Sequence, residues 1–107
     1  MLLDEASARA LARDNPRELI RILRDHHKRT PVELYFAAES AAYTRETGVV
    51  EVLVPLLKHP EPVVREGAAR GLAVADDPSA RVALQERAKS DPSEAVRIAA
   101  ADALDRS

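Results

Sequence analysis

The chain has no cysteine among its 107 residues. That excludes disulfide scaffolds, thiolate zinc sites and cysteine nucleophiles together. Aromatic residues are almost as scarce, at 3%, so no series of rings is available on which nucleic-acid bases could stack. Glycine occurs three times, at positions 48, 67 and 71, and these form no glycine-rich phosphate loop. Neither sign of charge dominates: 16 Lys+Arg stand against 18 Asp+Glu, a formal net charge of −2. That balance argues against a chain built mainly to coat nucleic acid or an acidic membrane. Long apolar runs are missing as well. The longest, Val49 to Leu57, is broken by Glu51 and Pro55 and is far too short to span a bilayer. The start, MLLDEASARA, has neither a basic n-region nor an apolar h-region, so no secretory signal is expected and the cytoplasm is the expected compartment.

What is present points to one small, soluble globular domain. Apolar residues make up 46% and charged residues 32%. Alanine, arginine and leucine lead the composition, all good helix formers. The preference for Arg over Lys, with so much Ala, hints at a GC-rich bacterial genome. Period-2 alternation of β-branched residues is absent. The seven prolines sit as helix punctuation. Asp14-Asn15-Pro16 reads as a cap followed by Pro in the first turn, and Asp77-Pro78 repeats that logic. Thr30-Pro31-Val32-Glu33 is a capping box, and Asp91-Pro92-Ser93-Glu94 a variant with Asp as the cap. Lys58-His59-Pro60-Glu61-Pro62 is a tight turn, because neither proline fits inside a helix. These marks predict helices over 3–13, 16–28, 31–46, 49–58, 62–75, 78–90 and 93–105. Pro55 predicts a kink in the fourth helix, or a start delayed to Val54.

The chain also repeats itself. At an offset of 32, Pro60/Pro92, Val64/Val96, Arg65/Arg97, Ala68/Ala100, Ala69/Ala101 and Leu72/Leu104 are identical pairs. A more divergent copy lies 30 residues earlier, with Leu34 for Val64, Ala38 for Ala68 and Ala42 for Leu72. Two helices per period of about 30 is the signature of an α-solenoid. Val64, Ala68 and Leu72 form an i, i+4, i+8 core stripe. Gly67, Ala68 and Gly71 let a neighbouring helix approach closely. The partner helices supply bulk through Leu19, Ile20, Leu23, Leu53, Leu56 and Leu84.

The run Leu53-Val54-Pro55-Leu56-Leu57-Lys58-His59-Pro60 through Leu72 resembles a HEAT repeat. It has the Pro in the first helix, the turn Pro, the Val-Arg pair and the ladder of small residues before Leu. Asp91-Pro92 through Leu104 is similar to the second half of another. Within the family the chain most resembles the short bacterial HEAT-like repeats named after phycobilisome lyases. The likeness is strong over 49–107 and weak over 16–47. It implies an all-α solenoid: a right-handed stack of about three antiparallel helical hairpins. The expected divisions are a cap helix (1–15), a divergent first repeat (16–47), a second repeat (48–76) and a third (77–107). The resemblance also implies that Arg65 and Arg97 bond an acidic residue at the intra-repeat turn. Asp91 fits that part; His59 and Tyr35 depart from it.

No arrangement of residues suited to catalysis emerges, and no metal or cofactor is expected. His26 and His27 are adjacent, about 100° apart on a helix, and cannot chelate one ion together. They read as solvated histidines at a helix end, stabilised by the helix dipole. Asp76 and Asp77 sit at a turn, as a capping pair. Arg17, Arg21, Arg24 and Lys28 are spaced 4, 3 and 4 apart, a basic stripe that could hold nucleic acid or simply be a solvated face flanked by Glu18 and Asp25. Phe36 and Tyr43 stand at i and i+7. By the repeat offsets their line continues through Glu66 and Arg70, then Ile98 and Asp102. The resemblance places this line on a concave surface, where Phe36, Tyr43 and Ile98 would anchor a protein partner and Glu66, Arg70 and Asp102 would surround them. In the opposing reading, the N-terminal helix folds over Phe36 and Tyr43 as core. The expected function is a non-catalytic adaptor or scaffold. Nucleic-acid binding, a tetrapyrrole-lyase-like accessory activity and a fragment of a longer solenoid are the alternatives. Val82, Leu84 and the Ala-rich last helix point to homodimerisation as a further partner class.

Overall fold

Capping side chains together with first-turn prolines set where most of the helices begin. The computed structural model describes residues 2–105. Its seven α-helices are α1 (Glu5–Asp14), α2 (Pro16–Arg24), α3 (Pro31–Ala41), α4 (Val49–Leu56), α5 (Pro62–Ala75), α6 (Arg81–Ser90) and α7 (Glu94–Asp105), and no strand occurs among the described residues. The Asp4 carboxylate accepts from the Ser7 N–H at 2.8 Å and starts α1. Thr30 and Glu33 form the expected capping box at the start of α3. Pro16, Pro31 and Pro62 occupy first-turn positions that need no N–H donor. Gly48, at φ 95°, sits immediately before α4 in a backbone conformation that side chains disfavour. The caps of α2 and α7 differ from expectation: Asn15 makes no side-chain bond to the first turn of α2. Ser93 Oγ accepts the Val96 N–H at 3.4 Å, while Asp91 turns back to accept the Ser93 N–H at 2.9 Å.

The helices stack in two layers. Helices α3, α5 and α7 pack successively on one another, and α2, α4 and α6 each cover the helix that follows them. Helix α1 lies against α3 and α2 and closes that end of the stack. The extents are 35 × 24 × 19 Å. The core is aliphatic throughout: Leu19, Leu23, Leu34, Leu53, Leu56, Leu57, Leu72, Val64 and Val96 are all essentially inaccessible. Close approach within the second layer depends on glycine. A Cβ on Gly71 would lie 2.6 Å from the Ala38 carbonyl oxygen, and one on Gly67 would lie 2.9 Å from the Tyr35 Cα.

Four expected helices are shorter than their periodicity suggests; α6 starts only at Arg81, after a 3₁₀ turn over Pro78–Ala80. Helix α2 ends at Arg24, and His26–Lys28 form a 3₁₀ turn. Lys28 therefore sits on the 3₁₀ turn beyond α2, not on the helix that carries Arg17, Arg21 and Arg24. Helix α3 ends at Ala41, followed by a 3₁₀ turn over Ala42–Thr44. The Thr44 hydroxyl donates to the Ala41 carbonyl at 2.8 Å and accepts the Glu46 N–H at 3.1 Å, so the side chain competes with the next helical turn. Arg45 then adopts φ 58°. Pro55 neither delays α4 to Val54 nor sits mid-helix. The helix starts at Val49 and ends one residue beyond the proline. Its missing donor costs only the bond to Glu51, which is exposed and can bond water.

Candidate interaction surface

The second-layer helices carry a hollow that runs across three repeats. Glu39 and Tyr43 from the first, Arg70 and Val74 from α5, and Ala99 and Asp102 from α7 line it. A larger depression of about 570 Å³ adjoins it between α1 and α3, where Arg9, Arg13 and Glu5 face Glu39, Ser40 and Tyr43. Tyr43 and Glu39 belong to both. Tyr43 is 69% exposed because the 3₁₀ turn swings it off the end of α3. It thus stands at the junction of the two hollows rather than on a continuous helical line with Phe36.

Phe36 is half-buried and packs on the core, with its ring edge-on to Tyr35 at 5.6 Å. The two aromatics of the expected line therefore part company. Ile98 is 51% exposed, Asp102 and Arg70 are exposed, and Glu66 is half-buried. Arg70 donates to Glu66 at 3.0 Å. Tyr35, which sequence reasoning left out, contributes more than Phe36. Its hydroxyl donates to Glu39 at 3.4 Å, and burial, assisted by the Glu39 charge, pushes that hydroxyl above its ordinary value. The signals for Tyr35 were its i, i+4 spacing from Glu39 and the glycine opposite it at 67.

The basic stripe is diluted by carboxylates. Arg21 donates to Glu18 at 2.9 Å, and Arg17 lies 3.9 Å from Glu46. Arg21, Lys28 and Arg29 share a shallow depression with Glu18 and Asp25. Arg24 is exposed.

A second polar cluster lies along the turns, and Asp91 is the acid at its centre. Arg65, 7% exposed, makes a two-pronged bond to Asp91, with Nε to Oδ2 at 2.9 Å and Nη2 to Oδ1 at 3.1 Å. Asp91 belongs to the next repeat, so the pair joins two repeats instead of closing one turn. At its own turn Arg65 uses the backbone, donating from Nη1 to the His59 carbonyl at 2.7 Å. Arg97 does the same one repeat later, from Nη1 to the Asp91 carbonyl at 2.7 Å. His59 therefore fits a position that needs only a carbonyl. Arg87 adds a third contact to Asp91 at 3.3 Å. Burial works to raise the Asp91 pKa, but Arg65, the Ser93 N–H and Arg87 hold the carboxyl below its ordinary value.

The divergent first repeat substitutes another buried acid. Glu33 accepts from the backbone N–H groups of Thr30 and Leu3 at 3.0 and 2.8 Å and from Arg29 at 3.2 Å. Those bonds, led by Thr30, hold its pKa at about 2. All three histidines of the chain meet at the same edge, His26 lying 5.4 Å from His59 and 6.1 Å from His27 between ring centres. Burial and the neighbouring His26 keep His59 below its ordinary value, and its Nδ1 accepts the Glu61 N–H at 3.0 Å. Among the described residues no group of His, Asp and Glu has the geometry of a metal site. Nor, among the described residues, is any helix long and apolar enough to cross a membrane.

The model of the HEAT repeats family matches residues 18–105. No curated protein and no solved structure matches the chain. HEAT repeats are generally protein-interaction modules and typically non-catalytic. The matched span starts inside α2 and ends with α7, so it takes in all three hairpins and leaves out only the N-terminal helix: the chain belongs to the HEAT repeat family.

Proposed function

We propose that the protein is a small, non-catalytic cytoplasmic adaptor that binds a protein partner on the hollow across α3, α5 and α7. One observation carries this reading: Tyr43, 69% exposed, stands where two adjoining hollows meet, with Arg70, Asp102, Arg9 and Arg13 around it. An exposed tyrosine ringed by arginines and carboxylates is the composition that binding hot spots favour. The rigid stack presents it without conformational change. Phe36 serves as a support beneath the surface, and Ile98, Glu66 and Asp102 extend the contact toward the last repeat. The likeness to the lyase-named repeats concerns the repeat architecture and supplies no nucleophile for tetrapyrrole attachment. The protein is therefore expected to carry no chromophore after co-expression with tetrapyrrole synthesis.

Affinity capture from native lysate tests the adaptor reading, comparing the wild type with Tyr43→Ala/Arg70→Glu. Both substitutions lie on exposed side chains, so circular dichroism should be unchanged. A protein held by the wild type and lost by the variant supports the reading. Identical captures from two folded proteins would sink it.

A further inference from the structure

The third repeat keeps a stacking face that the second repeat uses. On α5 the side facing α7 carries Arg65 and Ala69, 7% and 0% exposed. Their counterparts on α7, 32 residues on, are Arg97 and Ala101. The same residue types stand there, yet Ala101 is exposed and Arg97 only half-buried. Leu104, the counterpart of the core-stripe Leu72, packs half-buried on the core, and Ile98 is 51% exposed at the margin of this face. Arg65 meets a carboxylate from the next repeat. Among the described residues no carboxylate meets Arg97, whose bond goes to a backbone carbonyl through Nη1.

The pattern around Ala101 is self-complementary. Arg97 lies four residues before it and Asp105 four after; Ile98 lies three before and Leu104 three after. A second copy of the helix laid antiparallel about Ala101 brings Arg97 of each copy level with Asp105 of the other, with the exposed Ile98 side chains flanking the contact. The small alanine at the centre permits the close approach that Ala69 permits inside the fold. Because a two-fold axis applies every contact twice, each favourable pair counts double. We infer that α7 is a homodimerisation face, in which a second copy of this chain supplies, through Asp105, the carboxylate that Arg97 lacks.

Sedimentation velocity over a wide concentration range tests this. The wild type is expected to move from monomer to dimer as concentration rises. Ala101→Glu, on an exposed site, should abolish the dimer with helicity unchanged. Arg97→Asp and Asp105→Arg should each weaken association about tenfold or more by setting like charges together. The double variant Arg97→Asp/Asp105→Arg should restore it, because the pair is re-formed with its signs exchanged. Should Arg97→Asp fail to fold, Asp105→Arg and Ala101→Glu still decide the matter. A wild type that stays monomeric throughout overturns the proposal. So does a dimer that survives Ala101→Glu, since it must then use another face, and so does a charge exchange that leaves association lost.

Discussion

At the scale of single residues, two buried carboxylates dominate. Asp91 is 1% exposed and serves arginines from α5 and α6. Removing one member of a buried pair strands the other charge away from water, which costs far more than the pair itself contributes. Asp91→Ala is therefore expected to lower stability by about 3–5 kcal/mol, read from urea unfolding. Adding Arg65→Met to that variant should recover part of the loss, because no orphaned guanidinium remains. Glu33 makes a different prediction. Its pKa falls from an ordinary 4.5 to about 2 in the folded protein, so the unfolded chain binds the proton more readily. The stabilisation is full above pH 4.5 and is lost as pH falls from there toward about 2. Solvent screening reduces the roughly 3 kcal/mol that such a shift represents to about 2 kcal/mol. Urea midpoints above and below pH 4.5 should diverge for the wild type and converge for Glu33→Gln. Only part of this was legible in the sequence. Glu33 was readable as a capping-box residue because Thr30 is three positions away. Its bond from Leu3, thirty residues earlier, is set by how α1 closes the stack, which no local spacing encodes. Likewise Asp91 was readable as the acid for an arginine, but its allegiance to Arg65 of the preceding repeat depends on how the repeats stack.

At the scale of elements, starts were more legible than stops. A helix start is written in proline, threonine and aspartate, whose preferences are strong and local. The ends of α2 and α3 involve no glycine or proline. At α3 the stop comes from a threonine hydroxyl competing for a carbonyl and from an arginine at φ 58°, both weak signals in a sequence; at α2 the chain passes through Asp25 into a 3₁₀ turn with no local mark. The displacement of Tyr43 from its expected line follows directly. The small-residue stripe of α5 was legible, and its consequence can be tested. Alanine is the better helix former by about 1 kcal/mol, so Gly71→Ala would stabilise an isolated α5. In the protein the new methyl group would lie 2.6 Å from the Ala38 carbonyl oxygen, a backbone atom that cannot step aside alone. A net loss of about 1–3 kcal/mol is expected, measured as a lower melting temperature. A gain would mean that α3 and α5 can separate freely.

At the scale of the whole molecule, charge is balanced as well as shape. Arg17, Arg21 and Arg24 are exposed, but Glu46 and Glu18 approach the first two and the chain carries a net −2. Binding to nucleic acid tracks the number of phosphates that are neutralised and is tightest at low salt. A gel-shift titration with labelled duplex at low salt is expected to show no retarded band. A retarded band that is lost on raising the salt would revive the stripe as a site.

The hairpin of α6 and α7 is tied to its neighbour through one side chain in the loop between its own helices. Asp91 lies in the third hairpin by chain order, while its strongest bonds go to Arg65 in the second. Stacked repeats can ordinarily fray one unit at a time, each opening costing its own stability plus one interface. Here, opening the last unit also breaks the two-pronged Arg65–Asp91 bond that spans the two units. Partial opening from that end is thereby raised toward the cost of unfolding both hairpins together. Amide deuterium exchange should report α5, α6 and α7 as a single cooperative block with one common opening free energy. In Asp91→Ala the block should divide, with α6 and α7 exchanging ahead of α5. Cooperativity in this small array would then depend as much on where one carboxylate sits as on the number of repeats.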